Sequence, residues 1–171
     1  NMKRLLPLFA VFFMLCGCSV ELPGGVSSDT VPEEGQASCT VTIECKTVLD
    51  NMDMLDPDKK DIIPPDGIIL PECEAAIDEG DTVFDLLAEV TRKNGIHMEF
   101  NSTPAYDSKY IEGIANLYAF DCGELSGWMF SINGEFPTVG ANAVKLNDGD
   151  EVRVLYSCEL GQDIGNIYGE E

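Results

Sequence analysis

The side chains best suited to hold a ligand surround one tight turn late in the chain. Trp128, the only tryptophan, and Phe130 come shortly before the dipeptide Asn133-Gly134. Both residues of a type I′ turn need positive φ, which Asn and Gly tolerate, so this dipeptide predicts a hairpin turn. Loops on a rigid scaffold commonly carry binding sites. We therefore expect the strand before the turn and the loop after it to form the apolar rim of a ligand site, with these residues: Trp128, Phe130, Phe136, Pro137, Val139 and Gly140. The alternative is that Trp128 and Phe130 only fill the core.

Residues that could perform acid–base or nucleophilic chemistry are present but form no recognisable set. His97 is the sole histidine, and no nucleophile and base that would complete a triad accompany it. A histidine hydrogen-bonded at a sheet edge is the expected role. Glu99, Glu112 and Glu124 could pair as acid and base, but in a chain with 31 acidic residues such pairs arise by chance. We therefore predict no catalytic residues and no enzymatic activity.

Cysteines after residue 38 are candidates for disulfides rather than for a metal site. No C-x-x-C pair occurs among them, so structural zinc is not expected, and the acidic segments 50–53 and 147–150 do not match the twelve-residue calcium loop. In an exported protein these cysteines favour two disulfides, Cys45–Cys73 and Cys122–Cys158, which would each close a long loop. Cys39 is then unpaired, although an odd number permits other pairings.

An α+β fold is predicted to position these groups. Residues 39–45 alternate between apolar and polar side chains, which indicates a half-buried strand, and residues 68–70 and 74–77 indicate a second strand interrupted near Pro71. A helix follows, with Thr82 as its N-cap, an apolar stripe over residues 83–90 and a C-terminal stop at Asn94-Gly95.

Further strands complete the predicted sheet. We expect strands at 97–100, at 114–120 and before the turn at Asn133-Gly134, with 101–113 as a loop. A last strand follows an acidic turn at Asp148-Gly149. Two strands, one main helix and then several strands predict a β-grasp-like mixed sheet.

The first 37 residues have the features of an export signal and a tether. Lys3 and Arg4 precede an apolar run over residues 5–15, and Cys16-Gly17-Cys18 follows. This pattern predicts a signal peptide rather than a membrane-spanning helix, and residues 15–18 resemble the bacterial lipobox, whose final cysteine is lipidated. The alternative is a general secretory signal cleaved nearby. The predicted domains are a lipoprotein signal at 1–17, lipidated Cys18 with a flexible acidic linker at 18–37, and the folded domain at 38–171.

The charge balance restricts the class of partner. The chain carries ten basic and 31 acidic residues, a formal net charge of −21. Nucleic-acid binding needs lysine and arginine to neutralise phosphates, so nucleic acid is not an expected partner. Such a charge also favours solubility on a crowded exterior surface.

Four segments resemble the transcobalamin-like C-terminal domain family, in its bacterial surface lipoprotein branch. They are EGDTVFDLL at 79–87, YIEGIANLYAFDCGELSGWMFSING at 110–134, LNDGDEV at 146–152 and YSCELGQDIG at 156–165. The resemblance implies a β-grasp-like domain and a corrinoid-related role. In the animal carriers of this family a tryptophan strand and the loop after it face the corrinoid, which corresponds here to Trp128, Phe130, Val139 and Gly140.

Two departures from the family pattern bear on function. The animal carriers have a large helical domain that supplies most of the binding surface, and this sequence has no room for one. Bacterial relatives often have a cysteine after the loop glycine, where this chain has Ala141, which weakens a disulfide to Cys158.

These observations together predict a non-enzymatic lipoprotein, anchored outside the cytoplasm to the bacterial cell membrane. Its single domain would bind a ligand, with cobalamin or another corrinoid implied by the resemblance, and would pass it to an uptake transporter. The alternative is an adhesion or assembly module that binds a protein or a polysaccharide.

Overall fold

A computed structural model describes Pro32 and residues 34–103 and 108–166. The predicted signal peptide and Cys18 lie outside the described residues. Within the described part, no helix is both long and apolar enough to cross a membrane. The strands and helices follow one another in this order: β1 Ser38–Glu44, α1 Lys46–Leu49, a 3-10 helix Pro57–Ile62, β2 Ile68–Ala76, α2 Val83–Lys93, β3 Met98–Thr103, β4 Ser108–Ile114, β5 Leu117–Tyr118, β6 Gly127–Ile132, a 3-10 helix Ala141–Ala143, β7 Glu151–Ser157 and a 3-10 helix Gln162–Ile164.

The main sheet has four strands in the order β2-β1-β7-β6. β1 and β7 pair in parallel at its centre, and the other two pairings are antiparallel. This is the β-grasp arrangement: a parallel central pair is flanked by two antiparallel strands, and the main helix follows the first two strands in sequence. The predicted α+β fold with a mixed sheet and one main helix is therefore confirmed. A second, antiparallel sheet has the order β3-β4-β5.

The core lies between the main sheet and α2. Val41 and Ile43 of β1 are fully buried, as alternation predicted, and they share one apolar cluster with the stripe of α2. Burying one such side chain contributes about 1.5–3 kcal/mol. The predicted capping box is present: Asp85 N–H donates to Thr82 Oγ1 at 3.3 Å, and Thr82 N–H donates to an Asp85 carboxylate oxygen at 3.0 Å. The helix ends as predicted, with Gly95 at φ +64°.

The predictions for residues 101–120 are wrong in part. Residues 108–114 form β4 and are not a loop, whereas the expected strand at 114–120 is reduced to the two residues of β5. The chain turns between them at Ala115 and Asn116, whose φ angles are 51° and 63°. Alanine rarely adopts positive φ, so the sequence gives little signal for this turn.

The predicted interruption of the second strand near Pro71 is not present. β2 is continuous through Pro71, which lies at a register shift where Val41 pairs with Cys73 and Ile43 pairs with Leu70. Proline is tolerated there because β2 is an edge strand and the ladder is already irregular.

The five described cysteines are free thiols, and the structure shows neither of the two predicted disulfides. Cys73 lies opposite Val41, whereas the N–H of Cys45 bonds to Gly67 O at the other end of the hairpin. Four residues of strand, about 13 Å, separate these positions, which is beyond the reach of a disulfide. Cys122 and Cys158 differ from this pair, because their side chains hydrogen-bond to each other without being joined, and the two thiols also contact Asn51 O and Thr47 Oγ1 respectively. Cys39 is also a buried free thiol.

Candidate functional site

A cavity of about 320 Å³ opens between β4, β6 and the loop 136–140. This volume is at the lower end of the range for small-molecule sites. The structure brings all of the sequence-predicted ligand residues into the lining of this one cavity: Trp128, Phe130, Phe136, Pro137, Val139 and Gly140. Residues 108–111 of β4 form the facing wall, and Asn166 reaches the lining from the C-terminal side.

Trp128 serves the core and the cavity at once. Its side chain is only 3% exposed. The indole Nε1–H donates to Leu117 O at 2.8 Å, and the ring meets Tyr156 edge to face with centroids 5.2 Å apart. Trp128 is therefore a core residue that also forms part of the cavity lining.

The loop 136–140 is fixed at both ends. Asn133 and Gly134 have φ angles of 52° and 84°, so the predicted hairpin turn is present. The hairpin is one bridge long, between Ile132 and Glu135, after which the chain leaves the sheet. It reaches β4 at Gly140, where an added Cβ would clash with Ser108 Oγ and lie 3.1 Å from Lys109 N. The loop is therefore anchored at the hairpin turn and at β4, and it lines the cavity between these two points.

The free edge of β6 supplies polar groups to the cavity. Asn133 N–H donates to the carbonyl oxygen of Glu151, the first residue of β7. Because antiparallel strands alternate, Met129 and Ser131 then direct their peptide groups toward β7, and Trp128 and Phe130 direct theirs away from it. Ile132, on the same outward side, already pairs with Glu135. Among the described residues, no backbone bond occupies the outward peptide groups of Trp128 and Phe130.

The cavity lining is close to neutral despite the acidity of the chain. None of the described lining residues is acidic, and the one cation, Lys109, is engaged elsewhere. Its ammonium lies 3.8 Å from the ring centroid of Phe84 and 5.4 Å from that of Phe100. Cation–π attraction of this kind holds the charge beside α2 and β3. The site therefore suits a neutral ligand with a flat or apolar surface and some amide-like polar groups.

Sequence reasoning identified one wall of the cavity and missed the other. Residues 108–111 were assigned to a loop, although Tyr110 and Ile111 are residues that favour strands and could have indicated β4. Asn166 had no sequence signal, since it enters the lining only through the fold of the final segment. Its side-chain N–H contacts Met129 Sδ at 3.6 Å.

The acid–base candidates lie apart from the cavity and form surface contacts. His97 Nε2 lies 3.4 Å from Glu99 Oε1, and both side chains are about half exposed. Glu99 also accepts a 2.8 Å hydrogen bond from Tyr118 O–H, which raises the pKa of that phenol. Glu112 accepts from Asn101, and Glu124 is exposed. In the part of the chain that the structure describes, no three His, Cys, Asp or Glu side chains gather as a metal site.

Comparison with known proteins gives a partial family match and two similar structures. Residues 80–157 match the model of DUF4430, a domain of unknown function. A provisionally assigned metal-binding protein from Ruminococcus gnavus ATCC 29149 is 18% identical, with 71% of this chain and 97% of that chain covered and a TM-score of 0.41. Haptocorrin in complex with Cbi is 16% identical, with 76% of this chain and 27% of that chain covered and a TM-score of 0.48. No curated protein matches. The DUF4430 match runs from just before α2 to the end of β7 and so includes β4, β6 and the loop 136–140.

Proposed function

We propose that this protein is a non-enzymatic surface lipoprotein that binds a ligand in the cavity between β4, β6 and the loop 136–140, with cobalamin or another corrinoid as that ligand. The observation that supports the proposal is the convergence on one cavity of the six residues that the sequence singled out. The sequence resemblance to the transcobalamin-like family supplies the ligand class.

The chemistry of the lining is compatible with such a ligand. Phe130, Phe136 and Val139 offer apolar contact to the face or edge of a macrocycle. The outward peptide groups of Trp128 and Phe130 could pair with peripheral amides. A cavity of about 320 Å³ is small for a large macrocycle. A corrinoid would therefore be held by one side and would leave its other side open to an uptake transporter.

Lipidation of Cys18 would hold the domain at the outer face of the cell membrane. Substituting Cys18→Ala should release the protein from membranes, as followed by fractionation and blotting. A Cys18→Ala protein that stays in the membrane fraction would contradict the lipid anchor.

The ligand proposal is tested by calorimetric titration of the purified protein with cobalamin and with cobinamide. We expect micromolar affinity or better, about −8 kcal/mol, and quenching of the single tryptophan, corrected for ligand absorbance. Val139→Ser should weaken binding about tenfold. Leu125→Ser is the matched control, because Leu125 and Val139 are 51% and 53% exposed and Leu125 does not line the cavity.

Absence of heat with every corrinoid at high concentration would contradict the proposal. Equal losses in Val139→Ser and Leu125→Ser would also contradict the cavity as the binding site. A null result would favour the adhesion or assembly module instead.

A further inference from the structure

A second surface, the apolar patch formed by Met54, Phe120, Leu125 and Leu160, lies outside the cavity lining. These four side chains are 46%, 71%, 51% and 59% exposed. A 3.0 Å backbone bond from Leu160 N to Leu125 O joins two of the three segments that form it, and a 3.0 Å bond from Phe120 N to Ser126 O closes the segment 120–126 on itself. The third approaches at Met54, whose Sδ would lie 3.7 Å from a Cβ on Gly123. Single exposed leucines are normal, whereas a contiguous group marks an interaction site.

Two members of the apolar patch occupy strained backbone. Phe120 has φ of 71° and Leu160 has φ of 50°. This left-handed conformation costs a residue with a Cβ about 1–2 kcal/mol, and glycine would avoid the cost. Both positions nevertheless carry large apolar side chains that remain mostly in water. The folded chain gains little packing energy from them, which favours a role in contact with another molecule.

Acidic side chains lie beside the apolar patch on each of its three segments. Lys59, a neighbouring cation, is 3.4 Å from Asp121 Oδ2 and 4.8 Å from the Tyr118 ring centroid, so its charge is already engaged. Two copies of this surface would bring acid against acid, which disfavours self-association. The exposed acids are the following: Asp53, Asp56, Glu124 and Glu159.

We propose that the apolar patch docks a protein partner that presents an apolar stripe flanked by basic side chains. The stripe would cover Phe120, Leu125 and Leu160, and the bases would meet the surrounding carboxylates. Charge complementarity of this type accelerates association and rejects acidic partners. This docking is independent of the ligand cavity, so the two can be tested separately.

The test uses three fluorescent 18-residue helical peptides and the whole protein at 150 mM salt. One peptide has a leucine stripe flanked by lysines, the second has the same stripe flanked by glutamates, and the third has lysines with serines in place of the leucines. By fluorescence anisotropy we expect the first to bind at least tenfold more tightly than either of the others. The third peptide measures the attraction of any cation to a chain of net charge −21.

Single substitutions test whether the first peptide binds at the apolar patch. Leu160→Gly removes an exposed side chain together with the backbone strain, so the melting temperature should stay the same or rise. The same substitution should weaken binding of the first peptide about tenfold. Leu125→Ser should weaken it as well, and Val139→Ser, on the cavity, should not.

Equal binding of the first and third peptides would overturn the proposal, and so would an unchanged affinity in both Leu160→Gly and Leu125→Ser. A dimer detected by sedimentation and lost in Leu160→Gly would overturn it in favour of a second copy as the occupant. Corrinoid titration of Leu160→Gly should match that of the unaltered protein.

Discussion

Gly140→Ala tests whether the loop 136–140 is a fixed wall of the cavity. Gly140 has φ of −64° and ψ of 154°, a conformation that alanine adopts freely. The backbone therefore does not require glycine. A Cβ would nevertheless clash with Ser108 Oγ and lie 3.0 Å from Asn142 Oδ1 and 3.1 Å from Lys109 N. The requirement for glycine is a matter of space alone.

The expected loss of stability follows from which neighbours can move. Ser108 Oγ can rotate away. Lys109 N and Asn142 Oδ1 are held to each other by a 2.8 Å hydrogen bond, and that bond contributes about 0.5–1.5 kcal/mol. Overpacking typically costs about 1–3 kcal/mol, and removing a glycine from the unfolded chain returns about 0.4–1 kcal/mol. We expect a net loss of about 1–2 kcal/mol, or roughly 4–8 °C in melting temperature.

Thermal unfolding followed by circular dichroism measures this loss, and Gly127→Ala is the matched control. Gly127 begins β6, and its added Cβ would meet only Ala119 Cβ at 3.8 Å, an ordinary contact. That variant should be as stable as the unaltered protein or slightly more stable. If Gly140→Ala and Gly127→Ala unfold at the same temperature, the loop is not packed on β4 and the cavity has no fixed wall.

Three further outcomes can be checked on the same protein. Thr82→Ala should lower the free energy of unfolding by about 1 kcal/mol, as measured in urea. The side-chain and backbone hydrogen bonds of Thr82 hold the pKa of Asp85 below its usual range. The stabilisation by this capping pair is therefore present above about pH 4 and should fade as the pH drops below that value. Tyr156→Phe should cost about 1–2 kcal/mol, because the buried hydroxyl bonds to Tyr118 O at 2.7 Å and Ser126 Oγ at 2.9 Å; an unchanged stability would mean that water replaces the hydroxyl. Burial raises the pKa of the Cys45 and Cys122 thiols to about 11 and about 12, so a thiol reagent at pH 8 should label them far more slowly in the folded protein than in urea, and equal rates would contradict their burial.

Local signals made part of the fold predictable. The capping box of α2, the alternation of β1 and the Asn133-Gly134 turn each depend on residues adjacent in sequence, and each is present. The turn at Ala115-Asn116 is different, because no glycine marks it and the pairing of β4 with β3 on one side and β5 on the other imposes the positive φ angles. A strand was therefore expected where the chain reverses.

The same distinction explains the candidate site. Trp128, Phe130 and the loop 136–140 follow one another along the chain, so their common wall could be predicted. β4 faces them only because it pairs with β3, and that register is not visible in sequence. The separation of Cys45 from Cys73 could not be predicted for the same reason, since it depends on the register of β1 against β2.

The effect of a substitution on binding can be separated from its effect on folding at Val139 but not at Trp128. Truncating Trp128 would break the bond to Leu117 O and the contact with Tyr156, and it would leave a core cavity that typically costs about 3–5 kcal/mol. A loss of ligand in that variant could follow from unfolding alone. Val139 is 53% exposed, and changes at such surface positions usually stay within about 0.5 kcal/mol. A loss of affinity in Val139→Ser at unchanged melting temperature would therefore identify a binding contact. An unchanged affinity would show that Val139 makes no contact with the ligand.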